Sequence, residues 1–448
     1  MKSRRGFLGA VLGLLSAEFA LLRGAASVTA SNSALSKFIV DKRRQGEAFA
    51  KELKLNPAKE TWDFFDAAAA GDRKKAAELR EVLASLDPIW QIVCEVDYAV
   101  QQLAQPEQGI ARRFGEEILK AVAPNAIYLG GTEAGRYIPT ALSKSHIDGR
   151  PFFTLTQHYF ASRPYLQYAL AMYGAKINIP SLDDFEKVEE EYRADARQRW
   201  EHDQANPGGP RQVKPGEDVR VVDGRVQVEG MIAVNQINAR VAKLLFERNP
   251  NREFYVEESF PFDWMYPHLT PAGPVMKLNR APVDGIPVEA MERDREYWTR
   301  LCKEFLGLVV TEKTTIGEVK NFVTRVDLDK KLQGTDVAFV RNDQMRKAFS
   351  KLRSSQGGLY AWCLAKPNNH PQLQIQAEIA FKQAFALYPK NLEALFRYVN
   401  LLVGAGRIEE TLLLVTTSQK LDPDNASLKD LAAHLGKMLQ NKPPPGAL

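Results

Sequence analysis

Ala126-Ile127-Tyr128-Leu129-Gly130-Gly131-Thr132-Glu133-Ala134-Gly135-Arg136-Tyr137 is the stretch that sets the fold. A short apolar run stops at two glycines, the pattern of a buried strand closed by a turn. Three similar runs follow at Pro151-Phe152-Phe153-Thr154-Leu155, Glu253-Phe254-Tyr255-Val256 and Val275-Met276-Lys277-Leu278. Helical patterns over 165–173 and 232–247 lie between them. Strands alternating with helices predict an α/β domain over 123–284, with a mostly parallel sheet and flanking helices. An insertion at 183–228 interrupts it. There a highly charged helix leads through a Pro/Gly loop to a hairpin whose turn is Asp223-Gly224.

The flanks read as helical. In 35–122, Trp62, Phe64, Phe65, Ala68 and Ala69 form an apolar cluster that Gly71-Asp72 breaks, which predicts a helical hairpin. The connector 285–355 is helical with charged faces and one apolar stripe, Trp298, Leu301, Phe305 and Leu306. In 356–440, Pro389 and Pro423 stand 34 residues apart, each just after a helical run. Ala377, Phe381 and Ala384 precede the first proline, and Gly406 marks a turn between helices. This spacing resembles tetratricopeptide repeats, about one and a half to two units with a capping helix. The resemblance implies a small groove between helix pairs that holds a protein partner, or, with so few units, repeats that serve only to pack on the α/β domain. The tail 441–448 contains Lys442-Pro443-Pro444-Pro445-Gly446 and is expected to be disordered.

The N-terminus carries an address. Ser3-Arg4-Arg5-Gly6-Phe7-Leu8 precedes a mildly apolar stretch and resembles a twin-arginine export signal. Val28-Thr29-Ala30 fits a cleavage site, so residues 1–30 are assigned to the signal. An uncleaved anchor, an ordinary secretory signal and a cytosolic helix are the alternatives. The expected location is extracytoplasmic, in the periplasm or cell envelope, with membrane contact only through this segment if it is uncleaved.

Composition narrows the function. Of 448 residues, 45% are hydrophobic and 26% charged, the profile of a folded globular protein. The net charge is +5, but Lys2, Arg4, Arg5 and Arg23 against Glu18 concentrate +3 of it in the signal. Nothing basic remains that would favour nucleic acid. The three cysteines and six histidines are scattered, with no metal-ligand spacing, so no metal and no cofactor is expected. No Walker loop, Gly-x-Ser-x-Gly elbow or Cys-x-x-Cys pair occurs, and no catalytic residue is assigned.

One ligand site is expected. Gly130, Gly131, Thr132 and Arg136 follow the first strand, where exposed N–H groups can hold an anion. The alternative is a plain turn with Arg136 paired to Glu133. Gln157, after the second strand, would line the same crevice, and so would Glu258 and Asp263 after the third. Paired carboxylates at Glu257-Glu258 suit acid–base work or a cation, and the aromatics of 260–266 suit a sugar ring. The bland reading of 257–268 is a loop whose aromatics plug an interface.

The Gly130–Tyr137 segment, 152–173 and 235–279 together resemble the soluble C-terminal domain of a bacterial multi-span family described as protein O-mannosyltransferase-like. That family has an Asn-Gly-Asp-Asn-Asp-Thr-Phe-Pro-like turn, an Arg-Pro-x-Tyr-Phe strand and a Gly-Leu strand. The counterparts are Gly131-Thr132-Glu133, Arg252-Glu253-Phe254-Tyr255 and Gly273-Pro274-Val275. The acidic turn has lost most of its carboxylates and the membrane-embedded catalytic half has no counterpart. The resemblance thus implies an accessory extracytoplasmic domain without transfer machinery. Two function classes stand: a non-enzymatic scaffold that binds a protein, and a glycosyltransferase-related or carbohydrate-binding domain acting on envelope glycan.

Overall fold

The computed structural model describes residues 33–83, 89–104, 108–258, 260–366 and 370–440. The export motif, its cleavage site and the proline-rich tail lie outside the described residues. In chain order, helices α1 (Ser33–Glu52), α2 (Lys59–Ala69), α3 (Arg73–Val82), α4 (Trp90–Leu103) and α5 (Gln108–Ala121) lead to strand β1 (Ile127–Gly130). Then come α6 (Glu133–Leu142), α7 (Ser145–Asp148), β2 (Phe153–Thr156), α8 (Arg163–Tyr173), α9 (Leu182–Ala205), β3 (Asp218–Val222), β4 (Arg225–Glu229) and α10 (Met231–Arg248). Strands β5 (Phe254–Glu257), β6 (Leu269–Ala272) and β7 (Val275–Leu278) precede α11 (Val288–Leu306), α12 (Ile316–Val323), α13 (Val337–Arg341) and α14 (Asp343–Leu364). The last four helices are α15 (Pro371–Leu387), α16 (Leu392–Gly404), α17 (Ile408–Leu421) and α18 (Ala426–Gln440).

The chain divides into two compact units, each built from two segments. The first comprises Met1–Pro106 with Thr140–Arg252, and the second Glu107–Pro139 with Glu253–Leu448. The stretch 123–284 is therefore shared between the units.

In the first unit, α2 and α3 form the expected helical hairpin. Gly71 turns it with φ +76°, and the Asp72 side chain caps α3 by accepting from Lys75 N at 3.1 Å. Phe64 and Phe65 are fully buried. Helix α9 opens on a reciprocal capping box between Ser181 and Asp184. The β3–β4 hairpin turns at Asp223 and Gly224, both at positive φ, as a tight two-residue turn requires.

In the second unit the sheet is mixed, which corrects the mostly parallel sheet expected. β1 runs parallel to β5, with Ile127 opposite Phe254 and Gly130 opposite Glu257. β7 is antiparallel to β5, and β6 antiparallel to β7. The difference comes from Gly273, whose φ of +63° reverses the chain within two residues and makes β6–β7 a hairpin. Strand β6 escaped notice because Leu269-Thr270-Pro271-Ala272 contains a proline. An edge strand tolerates it, and β6 is an edge of the sheet.

The apolar stripe of α11 is buried, with Trp298, Leu301 and Leu306 fully inside. Phe305 stacks on Phe339 at 4.2 Å, and Phe114 meets Phe349 edge-on at 5.0 Å, so α5, α11, α13 and α14 share one core. Helices α15 to α18 pack in sequence, each against the next. α15 ends two residues before Pro389 and α17 two residues before Pro423. Ala377, Phe381 and Ala384 are buried, and Phe381 stacks on Tyr398 of α16 at 5.6 Å.

Candidate functional site

The glycine loop is built between β1, β5 and the start of α6, up to Pro139, in the second unit. Thr132 caps α6: its hydroxyl accepts from Gly135 N at 3.0 Å, and its carbonyl accepts from Arg136 N at 3.0 Å. The N–H groups of Gly131 and Thr132 point off the end of β1, as the sequence suggests. They point at Glu257. Its Oε2 accepts from Gly131 N at 3.1 Å and Thr132 N at 3.0 Å, and its Oε1 accepts from the Thr132 hydroxyl at 2.7 Å. The carboxyl group of Glu257 thus occupies the nest of N–H donors.

The glycines are there to let carboxylates in. A Cβ on Gly135 would overlap the Glu257 carboxylate. One on Gly131 would overlap the Glu258 carboxylate and sit 2.8 Å from the Glu257 carbonyl oxygen. Both acidic side chains therefore converge on Gly131. Gly130 packs against the Arg136 side chain, and Arg136 directs its Nε to Thr132 O at 3.1 Å and Nη2 toward Glu133 at 3.6 Å. The expected Arg136–Glu133 pair is present as well as the nest.

Glu257 is fully buried. Burial, and next the charge of Glu258, push its carboxyl up to about 8, against the pull of the donors from Thr132 and Gly131. The Tyr128 phenol donates to Gly135 O at 2.8 Å, and burial beside Glu257 pushes it well above the ordinary tyrosine range. A buried acid that titrates near neutrality has the right strength for proton transfer. Its oxygens, however, are occupied by the loop's donors.

Of the seven ligand residues expected, Gly130, Gly131, Thr132, Arg136 and Glu258 come together here. Gln157 does not join them in one unit: it is fully buried in the first unit, after β2. Asp263 is exposed on the short helical turn Asp263–His268. The surrounding aromatics are divided. Phe262 and Met265 are buried, Tyr266 packs on Trp362 at 5.5 Å, and Phe260 is 58% exposed with the Arg397 guanidinium 4.5 Å above its ring. The loop thus rests largely against α14 and α16, as an interface plug would.

Two buried charge clusters escaped the sequence reading. In the first unit, Lys42 is fully buried against Glu95, whose Oε1 accepts from Tyr168 Oη at 2.9 Å and Gln91 Nε2 at 3.2 Å. Burial lowers the Lys42 ammonium below its ordinary range. Burial, then the nearby Lys42 charge, lowers His146 to about 3, and its Nδ1–H donates to Thr140 O at 3.0 Å. The signal was available: Lys42 falls on the stripe of Leu35, Phe38, Ile39 and Phe49, where an apolar residue belongs. In the second unit, Arg353 and Asp294 pair at 2.7 Å with no exposure on either side. Tyr360 donates to Asp294 at 2.8 Å and Arg353 to Gln383 at 2.8 Å.

The second unit also carries an open cleft of about 1120 Å3. Val310 and Ile379 contribute apolar lining, and Arg295, Lys303, Glu312 and Lys313 contribute charge. Ile379 brings α15 to it. Among the described residues no group of three or more His, Cys, Asp or Glu side chains is placed to hold a metal. None of their helices is long and apolar enough to cross a membrane. Comparison with known proteins finds no matching family model, curated protein or solved structure.

Proposed function

We propose that this chain is an exported binding protein of the cell envelope that works by holding a protein partner, with 356–440 serving as tetratricopeptide-like repeats. The observation that carries this is the saturated glycine loop. The group best placed to take a small anion or substrate is filled by Glu257, whereas the cleft beside α11 and α15 is open. Its apolar lining and charged rim suit a peptide segment, which buries aliphatic side chains and pairs its own charges at the edge. The 34-residue recurrence of helix ends at Pro389 and Pro423 adds support, because stacked helix pairs present such surfaces.

Cross-linking pull-down from envelope extract tests this, comparing the natural chain with a Lys303→Glu/Lys313→Glu variant. Both lysines are exposed, so the substitutions leave the core intact. A partner captured by the natural chain and lost by the variant supports the proposal. Identical capture by both, or a specific hit on a glycan array with no protein captured, overturns it in favour of a carbohydrate-binding domain.

A further inference from the structure

We infer that strand β4 is a self-association edge: it pairs antiparallel with β4 of a second copy of this chain, making one continuous antiparallel sheet across a two-fold axis. The hairpin lies wholly in the first unit, and β3 and β4 are hydrogen-bonded only to each other. The tight turn at Asp223 and Gly224 makes Val222 and Arg225 a hydrogen-bonded pair, and Arg220–Gln227 and Asp218–Glu229 follow in register. Val226 and Val228 stand in the pairs between, so their N–H and C=O groups point outward, away from β3. Among the described residues no other main-chain group pairs with them. The ladder runs without a bulge, and β4 has neither the proline nor the lysine that shields an edge strand.

The sequence of β4, Arg225-Val226-Gln227-Val228-Glu229, is its own complement. Laid antiparallel on its copy about Gln227, it sets Arg225 opposite Glu229 of the second copy at both ends. Val226 then meets Val228 of the second copy. These are the positions with outward donors and acceptors, so each such pair exchanges main-chain hydrogen bonds across the axis. Arg225 and Glu229 fall at the positions between, where side chains approach most closely. Both are exposed, and the cation near Glu229 within the chain, Arg220, is held by Asp218 through Nε–Oδ1 at 3.0 Å. On the other face Val219 is buried, while Val226 and Val228 are half-buried beside α9, and the valines of the second copy would cover what remains of them. Strand β3 offers no such match. Paired antiparallel over its full length, it sets Arg220 against its own copy, a like-charge contact.

The experiment is sedimentation equilibrium of the full chain from about 1 μM to about 1 mM. The natural chain is expected to pass from one copy to two. Arg225→Glu and Glu229→Arg each set like charges face to face at both ends, and each is expected to weaken the association about tenfold or more. Both positions are exposed, so both variants keep the fold. The two variants are complementary to each other, and their equal mixture is expected to recover the natural association as a heterodimer. A natural chain that stays single at the highest concentration overturns the proposal and leaves the edge to an extended segment of another protein. Variants that associate as the natural chain does overturn it too, as does a mixture that stays apart. The hairpin and the open cleft belong to different units, so failure here leaves the protein-binding proposal standing.

Discussion

Replacing Arg353 by Met tests what holds α14 to α11. Arg353 is fully buried and donates to Asp294 Oδ2 at 2.7 Å, Gln383 Oε1 at 2.8 Å and Gln356 Oε1 at 3.1 Å. Gln356 also receives the Trp298 indole N–H and donates to Gly273 O at 2.7 Å, so the network reaches the β6–β7 turn. Methionine matches the length of the arginine stem but leaves Asp294 with the Tyr360 hydroxyl alone. Stranding one partner of a buried pair costs about 3–5 kcal/mol. In a unit of this size that lowers the melting temperature by roughly 6–20 °C. The assay is calorimetric melting of the natural chain, Arg353→Met, Asp294→Leu and the double variant. The double variant removes both charges and should recover a large part of the loss, because a buried pair replaced by apolar groups is often neutral. A single-variant loss under about 1 kcal/mol would refute the reasoning, since that is the scale of an exposed pair. Additive losses in the double variant would refute it as well.

Two further outcomes concern the glycine loop. The Glu257 carboxyl is raised from 4.5 to about 8, so its contribution to stability is full below 4.5 and is lost as pH rises through 8. Between those limits the natural chain should lose about 1.4 kcal/mol per pH unit relative to Glu257→Gln, read from melting temperatures at several pH values. Equal slopes in the two proteins would mean that the loop's N–H groups keep Glu257 ionised. Gly131→Ala should destabilise the second unit by about 1–3 kcal/mol, the range for an overpacked site, because its Cβ overlaps the Glu258 carboxylate. Ala at Gly109, where a Cβ meets nothing, is the control and should melt within about 0.5 kcal/mol of the natural chain.

The elements with strong local signals were legible in the sequence. The Asp223-Gly224 turn, the break at Gly71-Asp72 and the four apolar runs each have a chemistry that acts over a few residues. Strand β6 was not legible, because its proline is allowed only by its place at the sheet edge, and that place is a tertiary fact. The same limit explains the sheet direction. A helix between two strands predicts a parallel pair, which β1–β5 is, but a hairpin behind Gly273 sets the other pairs antiparallel.

The site divides along the same line. Gly131 and Thr132 were found as donors because glycines after a strand expose their amides. What occupies those donors was not found, because Glu257 stands 125 residues from Thr132. The sequence shows the two acids as a pair and points to Glu258 as the ligand group. Yet the last strand residue, Glu257, is the one that meets β1 across the register at Gly130. Parallel pairing of β1 with β5 brings the acid to the glycines, and the glycines are small because the acid arrives. The loop sequence and the strand-end sequence are two halves of one structural device.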